Sequence, residues 1–144
     1  MSLDGAYDDG NIFARIIRGE APSVKVWEDE AVLVFMDVFP QAKGHTLVVH
    51  KASRARNLLE AEPATLAAVM AAAQKTARAI KAALKPDGIV VTQFNGAPAG
   101  QTVFHLHVHI IPRWEGLPLG RHAGDMADVE ELKALAARIA GALE

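Results

Sequence analysis

The sequence predicts an α+β fold: a mainly antiparallel sheet of about five strands, one long helix and shorter terminal helices. Three observations predict it. Short runs rich in β-branched and aromatic residues recur before residue 50 and again after residue 88. Residues 63–84 keep the 3.6-residue apolar period of a helix. A strand pair, a third strand, the long helix and two further strands separated by a short loop do not alternate as parallel βαβ units do.

The first periodic segment is Ile12-Phe13-Ala14-Arg15-Ile16-Ile17, with apolar residues one turn apart and Gly19 placed to stop the helix. After Ala21-Pro22 come two strand-like runs, Val24 to Trp27 and Ala31 to Phe35, separated by the charged turn Glu28-Asp29-Glu30. A third strand, His45 to His50, follows the loop Phe39 to Gly44. Pro63 suits the first turn of a helix, whose missing N–H partners cost it nothing. The apolar positions Leu66, Val69, Met70, Ala73, Ala77, Ile80 and Leu84 then line one face. Lys85-Pro86-Asp87-Gly88 ends that helix, because proline biases the residue before it away from helical geometry. Ile89 to Phe94 is a fourth strand, Asn95-Gly96-Ala97-Pro98-Ala99-Gly100 a loop, and the run around three histidines a fifth strand. A last helix starts at Asp128, where Glu131 completes a capping-box pattern, and continues through Leu132, Leu135 and Ile139.

With 144 residues the chain is expected to form a single domain over 11–144 after a flexible N-terminal segment, 1–10. An apolar content of 51% with 22% charged residues is that of a globular chain. The formal charge of -2 provides no basic field, so a nucleic acid partner is not expected. Without cysteine there can be no disulfide and no thiolate metal site, and a cytoplasmic setting fits. No apolar run approaches the roughly 18 residues of a membrane span, and the polar, acidic start from Met1 to Gly10 is unlike a signal peptide.

Three of the six histidines fall in His105-Leu106-His107-Val108-His109. On a strand, successive side chains point to opposite faces, so His105, His107 and His109 would share one face and Leu106, Val108 and Ile110 the other. Imidazole titrates nearest neutrality of all side chains, so this pattern concentrates acid, base and nucleophile capacity. Alternate residues lie about 6.5 to 7 Å apart, placing His105 and His109 roughly 13 Å from each other. One metal ion cannot easily gather all three, although two with a third ligand from elsewhere could bind zinc. The preceding loop adds Gly96 and Gly100, which let backbone approach a ligand closely, and the neutral donors Gln101 and Thr102. Such concavities suit phosphate oxygens.

The run His105-Leu106-His107-Val108-His109-Ile110-Ile111 resembles the signature of the histidine-triad (HIT) superfamily. The likeness extends over roughly residues 11 to 115: Asn11 to Glu20 is similar to the family's N-terminal segment, Phe35 to Val49 to its second block, and Asn95 to Thr102 to its phosphate loop. This resemblance implies a HIT-like fold and a nucleotide hydrolase or transferase acting at the α-phosphate of a purine nucleotide conjugate. His107 would attack phosphorus to give a nucleotidyl-histidine, with its other N–H held by a main-chain carbonyl near His105. His109 would donate to a phosphate oxygen or assist the leaving group, and Gln101 and Thr102 would hold the remaining oxygens. Crowding three titratable rings disfavours a second positive charge and so helps keep the nucleophile neutral. The resemblance further gives Asp37 to the ribose hydroxyls. It assigns Ile12, Phe13, Ile16, Phe35, Met36, Val38 and Val103 to the nucleoside pocket, and Asn95 and Gly100 to the phosphate side. No metal cofactor is obligatory, though a divalent ion would accompany a polyphosphate substrate, and a homodimer formed through the long helix and fourth strand is implied.

Three departures bear on substrate choice. Asn11 and Ala14 stand where some members carry zinc-binding cysteines, so that structural zinc is not expected. Ser53 stands where many members have a further histidine, and it cannot act as an acid near neutrality. Pro112-Arg113-Trp114-Glu115 departs from the Gly-Gly-Arg ending of one branch. A nucleoside phosphoramidate, an acyl-adenylate or a dinucleoside polyphosphate therefore remain alternatives, as do a metal hydrolase built on two triad histidines and a nucleotide-binding protein of low turnover. His45, His50 and His122 are not expected to be catalytic.

Overall fold

The computed structural model describes residues 3–121 and 124–144. Its elements are α1 (Ile12–Ile17), β1 (Lys25–Glu28), β2 (Val32–Met36), β3 (Thr46–His50), α2 (Pro63–Leu84), β4 (Gly88–Thr92), β5 (His107–Arg113) and α3 (Val129–Ala140), with single 3-10 turns at Leu58–Glu60 and Ala97–Ala99. The strands form one sheet in the order β1-β2-β3-β5-β4, every neighbouring pair antiparallel, so the expected α+β architecture is observed. No helix among the described residues is long and apolar enough to cross a membrane.

Local chemistry explains the helix ends. The Asn11 side chain accepts from the Ala14 N–H at 2.9 Å and caps α1. The Asp128 side chain accepts from the Glu131 N–H and caps α3. Lys85, followed by Pro86, leaves the helical region for a left-handed conformation at φ 53°, where α2 stops.

Alternation along the strands sorts the interior into two layers. Val32, Val34 and Met36 of β2, Val48 of β3, and Val108 and Ile110 of β5 face α2 and α3, packing on Val69, Ile80, Leu132 and Ile139. Leu33, Phe35, Leu47 and Val49 face the opposite way, where the short α1 covers them through Phe13 and the partly buried Ile16 and Ile17, with Val103 beside them. The histidine face belongs to this second, thinly covered side, since Leu47 pairs with His109 and Val49 with His107.

The fifth strand requires a correction. It begins at His107, not at the first histidine, and Gln101 to Leu106 lie outside the sheet. The cause is competition for hydrogen bonds. The Leu106 N–H donates to the carbonyl of Ala55 at 2.9 Å, and the Gln101 amide donates to the carbonyls of Arg56 and Val103. This stretch is therefore tied to the connection between β3 and α2. Only His107 and His109 share a strand face. The fourth strand also ends at Thr92, two residues short of the expected Phe94.

The N-terminal segment expected to be flexible is described from Leu3 onward and lies against the same connection. The Leu3 carbonyl accepts from the buried Arg56 guanidinium at 2.9 Å.

Candidate active site

On the thinly covered face a cleft of about 390 Å³ opens between α1, the residues following β2 and the start of β5. Its lining includes eleven of the expected nucleotide and catalytic positions: Ile12, Phe13, Ile16, Phe35, Met36, Asp37, Val38, Thr102, Val103, His107 and His109. The floor is apolar and the histidines stand at one end, an arrangement that fits a flat base and its phosphates. His105, Asn95, Gly100 and Gln101 do not line this cleft.

His107 Nδ1 lies 2.7 Å from the carbonyl oxygen of His105. A carbonyl can only accept, so Nδ1 carries a proton, and in the neutral ring Nε2 then holds the lone pair. The ring is further seated by the edge of Phe13 at 4.8 Å between centroids and by the His109 ring at 4.9 Å. A neutral imidazole locked in this tautomer is the form a nitrogen nucleophile requires.

A second chain of hydrogen bonds fixes His109, through a residue not expected to take part. His45 is fully buried, and its Nδ1 accepts from the Gln41 N–H at 3.0 Å. Its Nε2 therefore bears the proton and donates to His109 Nδ1 at 3.0 Å, which leaves the neutral His109 protonated on Nε2. The Asp37 carboxylate stands 3.4 Å from the same His45 nitrogen. His45 thus connects Asp37 with a triad residue. Its one sequence signal is parity: His45, Leu47 and Val49 alternate, and the last two face the histidine side.

His105 plays a different part. Its Nε2 meets the carbonyl of His50 at 3.1 Å and its Nδ1 meets the Tyr7 hydroxyl at 2.7 Å, so both nitrogens are engaged within the protein. Burial, reinforced by the neighbouring His107, pushes its pKa down to about 4 against an ordinary 6.5, despite the opposing His50 carbonyl. The native ring stays neutral while the unfolded one takes up a proton, so stability is lost as the pH falls from about 6.5 toward about 4. The urea midpoint should drop more between pH 7 and pH 5 in the wild type than in His105→Gln. Equal drops would refute the assignment.

The glycine loop is braced from within. Gln101 Oε1 accepts from the Gly96 N–H at 2.8 Å, while its Nε2 serves the two carbonyls already named. The Gln101 side chain, expected at a phosphate oxygen, is thus committed to holding the loop. Asn95 Oδ1 accepts from Leu58 N–H and Gln93 Nε2, tying the loop to its neighbours. Gly100 takes φ 110°, a region open to glycine, and closes the Ala97–Ala99 turn. Thr102 is exposed at the cleft mouth. Asp37 Oδ1 accepts from the Phe39 N–H at 2.8 Å, so the carboxylate is oriented by its own turn. Pro22, Ser23, Phe39, Leu47 and Met126 also line the cleft; they come from connections and α1-facing positions whose proximity no local pattern encodes.

Ser53 donates its N–H to His50 Nδ1 at 3.0 Å and its hydroxyl accepts from Ala55 N–H, so both residues serve a turn. His122 lies outside the described residues. Asp37, His45 and His109 each offer one ligand atom, all within 4.8 Å of one another, and are the described residues that could hold a metal ion. The 3.0 Å contact between the two rings is the length of a hydrogen bond.

Comparison with known proteins agrees with this geometry. The HIT domain family model matches residues 18–116. "Protein hit" of Bacillus subtilis is 46% identical over 103 residues, covering 72% of this chain and 70% of that one. The adenylylsulfatase HINT3 of Arabidopsis thaliana is 37% identical over 118 residues, covering 78% of this chain but 59% of its own length. A crystal structure of a HIT-like protein from Bartonella henselae, described as involved in cell-cycle regulation, superposes with a TM-score of 0.92 at 52% identity, over 96% of this chain and 100% of that one. With its fold, its histidine cleft and its sequence in agreement, the chain belongs to the HIT family.

Proposed function

We propose that this protein hydrolyses or transfers a nucleotidyl group at the α-phosphate of a purine nucleotide conjugate, with an adenosine phosphoramidate as the model substrate. The observation that carries the reading is the 2.7 Å contact between His107 Nδ1 and the His105 carbonyl, which leaves the Nε2 lone pair as the nucleophile. In the first step a bond forms from Nε2 to phosphorus while the bond from phosphorus to the leaving group breaks. The departing group takes a proton, for which the His109 Nε2–H is the proposed donor in the tautomer set by His45, since the His105 and His107 protons are directed at carbonyls. Water then attacks phosphorus as the phosphorus–Nε2 bond breaks and gives a proton to His109, which releases the nucleoside monophosphate and restores both rings. Asp37 would accept from the ribose hydroxyls, and Phe13, Ile16 and Phe35 would pack on the base.

The adenylylsulfatase relative adds adenylyl sulfate to the candidate substrates. The Asp37–His45–His109 group keeps a metal hydrolase as a second reading. The histidine chemistry itself needs no resident ion, though a polyphosphate substrate would bring a divalent cation with it. The test is mass spectrometry of the intact protein after brief exposure to adenosine phosphoramidate or adenylyl sulfate. A gain of one adenylyl group on His107 is expected. Turnover without that adduct under rapid quench in alkaline denaturant, where a phosphorus–nitrogen bond survives, and abolished by chelator, would replace this reading with the metal one.

The proposed partner is a second copy of the chain, in the cytoplasm. Among the described residues no strand pairs with the outer edge of β4. Val90 and Val91 are exposed there, and Met70 on α2 is exposed nearby. An unpaired apolar edge of this kind favours strand addition.

A further inference from the structure

From the contacts of the N-terminal arm we infer that Tyr7 is a positioning residue for His107, acting through His105; the inference deepens the reading above and rests on it. The carbonyl of His50 cannot donate, so its 3.1 Å contact assigns the His105 proton to Nε2. Nδ1 of that neutral ring must then accept, and the Tyr7 hydroxyl at 2.7 Å is its donor. The two bonds hold the ring from opposite sides. His105 lies outside the sheet, so no strand pairing supports its peptide group. Yet its carbonyl is the acceptor that selects the reactive tautomer of His107. Tyr7 supplies part of the support the sheet does not.

Tyr7 is itself held in place. The Arg54 guanidinium lies 4.8 Å from the centre of its ring, and Arg54 forms an ion pair with Asp9, two residues along the arm. Upstream, the buried Arg56 binds the Leu3 carbonyl, and the guanidinium passes so close to Gly5 that a β-carbon there would stand 3.2 Å from it. Both arginines belong to the connection whose Ala55 carbonyl takes the Leu106 N–H. The arm and the residues before β5 are thus fastened to one common segment. The charged or titratable groups around His105 are Tyr7 with Arg54 behind it, His50 and His107. Tyr7 does not line the cleft, so it acts on orientation and not on substrate binding.

The test is Tyr7→Phe in the full chain, which keeps the ring under Arg54 and removes only the hydroxyl. Nitrogen-15 spectra of the imidazoles report each tautomer directly and need no substrate. The wild type should show His105 protonated on Nε2 and His107 on Nδ1. In the variant the His105 Nδ1 signal should move to that of a nitrogen lacking a donor, and the His107 Nδ1–H form should lose population. With substrate, kcat should fall about tenfold with KM within about twofold, the loss of one hydrogen bond. Tyr7→Leu, which also removes the ring from Arg54, should lose at least as much. An unchanged His107 tautomer in Tyr7→Phe overturns the inference whatever the activity. If the wild type forms no nucleotidyl adduct while the spectra change as expected, the proposed reaction fails and the positioning of His107 by Tyr7 stands.

Discussion

His107→Ala should fold as the wild type does and lose turnover of adenosine phosphoramidate by about four orders of magnitude or more. The ring's environment explains why the loss is so large. Its lone pair is the only bond-forming group in the scheme, and its proton is committed to the His105 carbonyl. What remains after its removal is a cleft that still binds nucleotide. Affinity for AMP, read by calorimetry, should therefore change far less than kcat. Only a small void opens beside Phe13 and His109, so the thermal midpoint should shift by a few degrees at most. Activity within tenfold of wild type would remove His107 from the role of nucleophile.

His45→Phe should cost about a hundredfold in kcat and about 1–3 kcal/mol in stability. Phenylalanine fills most of the space but offers neither nitrogen. The Gln41 N–H loses its acceptor, and His109 Nδ1 loses the donor that sets its tautomer. A His109 protonated on Nδ1 would present a lone pair where a proton is needed, so the leaving group would depart unaided. Steady-state kinetics and a urea titration check the two effects separately. A stable variant with near-normal kcat would show that His109 keeps its orientation without His45. Loss of stability alone, with kcat unchanged, would reduce His45 to a packing residue.

Much of the fold was legible because it is locally encoded. Residues 63–84 carry their own period between an opening Pro63 and the Lys85-Pro86 stop, residues 128–139 their period and the Asp128 cap, and both helices form where expected. Strand ends were less legible, since they depend on partners. Gln101 to Leu106 reads as strand by alternation, but the Ala55 carbonyl takes the Leu106 N–H and the Gln101 side-chain amide donates to the Arg56 and Val103 carbonyls. The cleft lining followed from family likeness, and most of its named residues meet there. His45 could not be found this way. Its bond to His109 joins residues 64 apart in sequence and exists only because β3 and β5 pair in one particular register. Tyr7 is farther still from its partner, 98 residues away, in a segment whose composition suggests mobility. Gln101 was read for what an amide can donate outward; the structure shows how two inward-facing carbonyls use up that capacity.

The sheet behaves as a partition wall. Its reverse side, sealed by α2 and α3, supplies most of the apolar burial, whereas its obverse carries the reactive rings beneath a single six-residue helix. Work done on one side disturbs the other little, because the two meet through strand backbones and at Met36 and Val38 alone among the cleft residues named. Changes at the partly exposed Ile12 and Ile16 can therefore reshape the cleft without drawing on the reserves that keep the chain folded. A lineage diversifying its substrates on such a frame would be expected to vary α1 first.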